Sequence, residues 1–211
     1  MLSEQKDLII VGAGGHARVV IDAAELQGFN ILGIVDTNYH EQDETIINYK
    51  VIGGFSELEH FDRKATNVFI AIGDAKERAA HFVEAKRMGF SIPKIIHPTA
   101  ILSKYVMIGD GVFVNAGAIL NAKVVIGDNS IVNTGSIIEH EVQLGEHSHI
   151  APGCKIGGRV KIGNFTCIGI GSTIIDKIKI GDNVVIGAGS IVISDIESNS
   201  TVVGTPGRKI K

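Results

Sequence analysis

The chain has 211 residues, of which 45% are hydrophobic and 5% are aromatic, and its formal net charge is −3. This length suits one medium domain or two small ones. The slightly acidic balance, without a basic stripe, argues against a nucleic-acid partner. No stretch approaches the roughly 18 apolar residues of a membrane helix, and no basic segment precedes an apolar run at the N-terminus. We therefore expect no signal peptide and no membrane span.

The two cysteines, Cys154 and Cys167, form neither a disulfide framework nor a zinc pattern, which favours a cytoplasmic protein.

Residues 1–92 alternate short apolar runs with helix-like stretches. Residues 8–11, 31–35 and 68–72 are predicted strands. Helices are predicted up to about residue 27 and over residues 74–88, and Gly28 and Gly89 end them. Strands that alternate with helices predict a parallel α/β sheet, so we expect a Rossmann-like half in this part of the chain.

A glycine-rich turn follows the first predicted strand. Gly12, Gly14 and Ala17 fit the pattern G-x-G-x-x-[GA], and Asp36 ends the next strand. Such glycines let backbone N–H groups approach a phosphate, and the following helix N-terminus favours negative charge. About 90 residues leave room for one mononucleotide half, so a nucleotide of the sugar-donor kind fits better than NAD. Gly73, after another strand, would lie at the same edge of the sheet. A tight turn without a ligand remains the alternative.

The pattern changes near Pro93. From Ile96 to Val192, every sixth residue is Ile, Leu or Val. This hexapeptide repeat predicts a left-handed parallel β-helix over residues 93–211, with three successive units closing one triangular coil. The aliphatic residues would stack inside, about 4.8 Å apart. We expect the Gly or Asn that often follows them to allow positive φ at the corners. A β-sandwich would instead show period two and loops of variable length.

Polar residues interrupt the repeat most at Glu139, His140 and Glu141. His140 is the second residue after an inward position, which is a corner, so its imidazole should point outward. A histidine oriented by a neighbouring carboxylate is a suitable general base. Gly158 follows three repeats later, at the equivalent corner of the next coil, and its N–H is a candidate oxyanion donor. A solvated surface histidine and an ordinary turn glycine are the alternatives.

His149 follows His140 by half of a coil, so the two cannot share a face of one prism. Two prisms side by side could bring them into one cleft. A metal site built from His140, His147 and His149 is a further alternative, but the spacing is not that of known Cys/His sites. We predict no metal.

Five segments together resemble the nucleotide-sugar N-acetyltransferases: GAGGHA, FIAIGD, NTGSIIEHE, HSHIAPG and VVGTPGRKI. The resemblance is strongest to the bacillosamine-pathway enzymes, which acetylate the 4-amino group of a UDP-4-amino-4,6-dideoxy-N-acetylglucosamine. Sialic acid O-acetyltransferases and perosamine N-acetyltransferases are also similar. The resemblance implies an acetyl-CoA-dependent enzyme of glycan biosynthesis, working as a homotrimer with its active site between subunits. Residues 1–92 would bind the nucleotide sugar, and residues 93–211 would bind acetyl-CoA and carry out catalysis.

The resemblance also implies roles for single residues. His140 matches the catalytic base and Glu141 the residue that increases its basicity. The residues that match acetyl-CoA contacts are His149, Ile170 and Ala188, with Gly158 beside them. The residues that match the nucleotide-sugar pocket are Gly14, Gly15, His16, Asp36, Thr37 and Gly73, and Asn133 matches a contact to the sugar. Thr37 and Ala188 depart from the family pattern, which can have an acidic residue and a glycine there.

We expect direct acetyl transfer without an acyl-enzyme, because neither cysteine is at a corner beside His140. One alternative is an O-acetyltransferase of a sialic-acid-type sugar, which would need no nucleotide pocket. A non-catalytic trimeric scaffold or nucleotide sensor is another, and it leaves the cluster around His140 unexplained. A dehydrogenase is disfavoured by the short first domain.

Overall fold

The computed structural model describes residues 6–36 and 45–211; Thr37, predicted to line the nucleotide pocket, lies outside these ranges. The chain divides into two compact units between Pro98 and Thr99, a few residues beyond the change of sequence pattern. Among the described residues, no helix has the length and apolar character needed to cross a membrane.

The first unit is a five-stranded sheet flanked by two helices, which confirms the predicted α/β fold. The strand order is β3-β4-β2-β1-β5. All neighbours are parallel except β3 and β4, which form an antiparallel hairpin that the sequence pattern did not predict. In chain order the elements are β1 (Lys6–Val11), α1 (Gly15–Leu26), β2 (Phe29–Val35), β3 (Thr45–Ile46), β4 (Tyr49–Gly53), a 3-10 helix (Phe55–His60), β5 (Thr66–Ile70), α2 (Ala75–Arg87) and a short strand, Ile95–Ile96.

Strand β1 lies in the interior of this sheet, between β2 and β5, and residues 8–11 are fully buried. A central parallel strand is covered on both faces, which explains its unbroken apolar run. Helix α1 buries Ala17, Val20, Ile21 and Ala24, the i, i+3, i+4, i+7 spacing of one helix face. Helix α2 is capped by Asp74, the residue before its first turn, whose carboxylate accepts hydrogen bonds from the N–H groups of Lys76 and Glu77.

The second unit is a left-handed parallel β-helix with three flat faces. Each face stacks short strands, and each strand pairs in register with its equivalents in the neighbouring coils. Face A contains Ile101–Leu102, Ile119–Leu120, Ile137–Ile138, Lys155–Ile156, Thr173–Ile174 and Ile191–Val192. Face B contains Met107–Ile108, Val125–Ile126, Gln143–Leu144, Lys161–Ile162 and Lys179–Ile180. Face C contains Phe113–Val114, Ile131–Val132, His149–Ile150, Cys167–Ile168, Val185–Ile186 and Thr201–Val203, with Arg208–Lys209 antiparallel to the last.

The interior of the β-helix is the predicted aliphatic stack. From Val114 to Val192, every sixth residue is at most 4% exposed. Small buried residues near the corners add hydrogen bonds between coils. The hydroxyls of Ser130, Ser148 and Thr166 each donate to a backbone carbonyl of the next coil, at 2.8 Å. Because these polar groups are satisfied, their burial carries no unpaired hydrogen-bonding cost.

The expected reason for the repeat glycines is wrong. Positive φ occurs at the third position after an inward residue, for example at Lys123, Glu141 and Arg159, and not at the glycine directly after it. That glycine is required by packing: a Cβ on Gly127 or Gly157 would come within 2.7 Å or 2.5 Å of a backbone nitrogen in the next coil. Close stacking of one coil on the next therefore excludes a side chain there.

Candidate active site

His140 lies at the corner between faces A and B, and its side chain is 52% exposed. Glu141 adopts left-handed backbone geometry, with φ of 60°, and its Oε2 lies 3.1 Å from His140 Nδ1. Of the two acids that flank the histidine, Glu141 is the one that contacts the ring. Glu139 lies along face A, where it lines a depression with Lys155 and Thr173. Because Nδ1 is taken by the carboxylate, Nε2 is the imidazole nitrogen available to another group.

Gly158 occupies the same corner on the next coil, directly beside the imidazole. A Cβ atom added to Gly158 would lie 2.7 Å from His140 Nε2 and 2.8 Å from Cε1. The equivalent positions of the neighbouring coils are Ala122 and Asp176, so the backbone at this corner accepts a side chain. Gly158 is glycine because the ring of His140 fills the place of its Cβ.

The backbone N–H of Gly158 donates no hydrogen bond within the part of the chain that the structure describes. At the corner between faces B and C, the N–H groups of the equivalent residues Glu146 and Asn164 each donate to a side chain of the following coil. An N–H without an acceptor, next to a histidine nitrogen, is suited to stabilise developing negative charge on a carbonyl oxygen.

Arg159 completes this corner, although the sequence analysis did not include it. Its Nε donates to Glu141 Oε2 at 2.9 Å. The hydrogen bond from Arg159, followed by the one from His140, lowers the pKa of the Glu141 carboxyl below its usual value. Glu141 is therefore ionised throughout the neutral range. The one-coil spacing that relates His140 to Gly158 also relates Glu141 to Arg159, and this was the signal available in the sequence.

A second cavity, of about 270 Å³, lies in the first unit at the carboxyl ends of β1, β2 and β5. Its lining includes the predicted pocket residues Gly14, Gly15, His16, Asp36 and Gly73. A Cβ at any of these three glycines would meet nothing within 4 Å, so they leave space in the cavity. Asp36 Oδ2 accepts a hydrogen bond from the N–H of Ala13 at 2.6 Å, which fixes the turn beneath it.

Of the four residues expected to contact acetyl-CoA, Gly158 lies beside His140, whereas His149, Ile170 and Ala188 lie at different places. His149 begins a strand of face C, and its Nε2 is 3.3 Å from the Asn133 side-chain nitrogen. Ile170 and Ala188 lie at the corner between faces C and A. A single chain thus brings His140, Glu141 and Gly158 together at one corner and leaves the other three expected acetyl-CoA contacts elsewhere on the prism.

The comparisons with known proteins match this architecture. Residues 7–84 match the PglD N-terminal domain, and residues 123–158 and 159–194 match the bacterial transferase hexapeptide (six repeats). The acetyltransferase domain of PglB from Neisseria gonorrhoeae is 31% identical, with coverage of 98% of this chain and 100% of that one and a TM-score of 0.91. It is also known in complex with acetyl coenzyme A. A comparison with curated protein sequences gives no significant match.

PerB from Caulobacter crescentus, in complex with CoA and GDP-perosamine, is 33% identical over 97% of each chain, with a TM-score of 0.91. A variant of the GDP-perosamine N-acetyltransferase of that organism, with one histidine replaced by alanine, gives a TM-score of 0.93 at 31% identity. This chain belongs to the same family of hexapeptide-repeat sugar N-acetyltransferases. These relatives bind CoA or acetyl-CoA, the co-substrate that the sequence resemblance implied.

The sugar N-acetyltransferase has no cluster of three His, Cys, Asp or Glu side chains that could hold a metal ion within residues 6–36 and 45–211. His147, one of the three histidines considered as ligands, is buried at the corner between faces B and C. Its Nδ1 lies 2.9 Å from the Asn129 side-chain nitrogen, and its ring packs against Phe165. His140, His147 and His149 therefore lie at three separate places around the coil.

Two residues at the start of α2 that sequence reasoning missed bear on the pocket in the first unit of the sugar N-acetyltransferase: one lines the pocket and the other holds two of its lining residues. Glu77 lines the cavity from the first turn of α2. Arg78, 1% exposed, donates from Nη1 to the carbonyls of Ile72 and Gly73 at 3.1 Å and 2.8 Å. A buried guanidinium that holds two successive carbonyls fixes the path of the chain around Gly73. Their signal was their place near the start of the helix after the third predicted strand.

Proposed function

We propose that this enzyme transfers the acetyl group of acetyl-CoA to the 4-amino group of a nucleotide-linked amino sugar, of the UDP-4-amino-4,6-dideoxy-N-acetylglucosamine type. The observation that carries the proposal is the geometry around His140. Nδ1 is held by the ionised Glu141, while Nε2 lies beside Gly158. A base and an oxyanion donor at one corner are what acyl transfer to an amine requires.

The glycine-lined cavity supports a nucleotide-linked substrate. Gly14 and Gly15 expose backbone at the N-terminus of α1, where the helix dipole favours a phosphate. His16, Asp36 and Gly73 border the same cavity, and Thr37 follows Asp36 in the chain. Asn133 would contact the sugar. The structure of PerB with GDP-perosamine gives a relative with a nucleotide-linked amino sugar bound. In this proposal, residues 1–92 hold the nucleotide and residues 93–211 hold acetyl-CoA.

A homotrimer would unite the two groups of residues. Face A separates the corner of His140 from the corner of Ile170 and Ala188, and five extended residues span at most roughly 17 Å. With one prism beside another, the His140 corner of one subunit would lie next to the His149 edge of its neighbour. The acetyl thioester, held by His149, Ile170 and Ala188 of one chain, would then reach His140 and Gly158 of the other.

The chemical step balances with these groups alone. The sugar amine attacks the thioester carbonyl carbon, and His140 Nε2 takes a proton from the nitrogen as the C–N bond forms. The N–H of Gly158 donates to the oxyanion of the tetrahedral intermediate. The C–S bond then breaks, and the imidazolium returns the proton to the CoA thiolate. Holding both substrates in one cleft contributes the remaining acceleration through proximity.

The test measures CoA thiol release with a panel of UDP- and GDP-linked 4-amino sugars, their 4-hydroxyl analogues and the free sugars. We expect turnover with a nucleotide-linked 4-amino sugar and the loss of roughly 10² to 10⁴ in kcat in a His140→Ala variant. Because His140 is half exposed at a corner, the variant should unfold at the wild-type temperature. Wild-type turnover in that variant, or equal rates with free and nucleotide-linked sugars, would contradict the proposal.

A further inference from the structure

The side chain of Glu141 is shared by two donors. His140 Nδ1 at 3.1 Å and Arg159 Nε at 2.9 Å both approach the same oxygen, Oε2. Arg159 is tied to this corner a second time, because its backbone N–H donates to the carbonyl of His140 at 2.9 Å. The three residues thus form a chain, Arg159–Glu141–His140, across two consecutive coils.

Arg159 and Glu141 belong to one column of the corner, in which every residue has positive φ: Lys123, Glu141, Arg159 and Lys177, with φ between 60° and 62°. The column holds one acid among three cations. Lys177 pairs with Asp176 at 3.1 Å, whereas Arg159 pairs with Glu141. Lys123 lies one coil away from Glu141 on the opposite side from Arg159, and among the described residues Glu141 pairs with His140 and Arg159 but not with this lysine.

An exposed ion pair of this kind contributes little to folding stability. The side chains of Arg159 and Glu141 are 58% and 40% exposed, and such pairs are worth little in water. A guanidinium that presents fixed donors is, however, well suited to orient a carboxylate. Without Arg159, Glu141 could rotate away from the ring, and the imidazole would lose the acceptor that selects its tautomer.

We infer that Arg159 is a positioning residue of the acetyl transfer: it holds the Glu141 carboxylate in the orientation that presents His140 Nε2 to the substrate amine. The inference rests on the proposed role of His140.

The experiment measures kcat and the KM for each substrate in four variants: Arg159→Gln, Arg159→Lys, Glu141→Gln and the double variant Glu141→Gln/Arg159→Gln. We expect Arg159→Gln to lower kcat about two- to fivefold, with KM for acetyl-CoA unchanged, and Arg159→Lys to restore part of the rate. In the Glu141→Gln background, Arg159→Gln should have no further effect on kcat.

Lys123→Gln is the matched control. It removes one positive charge from the same column, one coil from Glu141, with the same backbone conformation, and it should leave kcat and the KM values unchanged. An unchanged kcat in Arg159→Gln, an additive double variant, or a raised KM for acetyl-CoA with normal kcat would overturn the positioning role. Wild-type activity of His140→Ala would instead refute the proposed base, so the two failures are distinguishable.

Discussion

Replacing Gly158 by Ala tests the contact between the His140 imidazole, the proposed base, and Gly158, whose N–H is the proposed oxyanion donor. The substitution removes neither group. The new Cβ would lie 2.7 Å from His140 Nε2, and ordinary contact begins at 3.4 Å, so the ring must retreat by about 0.7 Å. A misplacement of about 1 Å can cost on the order of 10²-fold in rate. We expect kcat to fall roughly 10- to 100-fold, which corresponds to about 1.4 to 2.7 kcal/mol in the activation barrier.

Folding should not suffer in this variant. Gly158 has no positive φ, the equivalent Ala122 already carries a Cβ, and the displaced group is the tip of a half-exposed side chain. An alanine here should leave the melting temperature unchanged or raise it slightly, because it restricts the unfolded chain.

The assay combines CoA thiol release with thermal unfolding, in the wild-type and His140→Ala backgrounds. If Gly158→Ala acts by displacing the imidazole, it has little further effect once the imidazole is gone. Wild-type kcat in the single variant would refute the steric argument. A full additional loss in the His140→Ala background would show that the alanine acts elsewhere, for example on the oxyanion donor.

Two further predictions concern folding and thiol chemistry. In Gly12→Ala, the backbone keeps a φ of 107° and the new Cβ lies 2.9 Å from the Ile72 side chain, so we expect the free energy of unfolding, measured in urea, to fall by roughly 1–3 kcal/mol. In Gly14→Ala, the new Cβ meets nothing within 4 Å, and the free energy of unfolding should be unchanged. Equal losses in the two variants would contradict this prediction. Burial raises the pKa of the Cys154 thiol, whose Sγ donates to the Gly169 carbonyl at 3.1 Å. In a Cys167→Ala variant the remaining thiol should thus react with DTNB under mildly alkaline conditions only after denaturation, and rapid native labelling would disprove its protection.

The β-helix was predictable because its sequence repeats one requirement many times. The same inward position recurs at every sixth residue from Val114 to Val192, and each residue packs on its equivalent in the next coil. The same spacing of one coil between equivalent residues predicted that Gly158 lies beside His140. The first unit offered less repetition, so its strands β1, β2 and β5 were predicted, whereas the very short strand β3 gave no periodic signal.

Other features depended on geometry that a sequence pattern does not specify. The glycines after the inward residues are required because neighbouring coils pack too closely for a Cβ atom there. The sequence of one coil does not show how close the next coil lies. Arg159 was not predicted, because in the sequence an arginine at a corner cannot be distinguished from a solvent-exposed cation. Only the structure shows that its side chain points toward Glu141. The hydrogen bond by which Asp36 fixes the turn at Ala13 was not predicted either, because it depends on how close the turn lies to the end of β2.

Because Gly158 stacks over His140, the proposed active site depends on the number of residues between the two. One inserted residue between them would rotate Gly158 and every later residue around the prism, and the corner would lose its N–H and its open space. An insertion of a whole coil would preserve the fold yet place a different residue over the imidazole. Single-residue insertions and deletions are therefore barred from this segment, while coils beyond Lys177 could be added or removed without changing the register at His140.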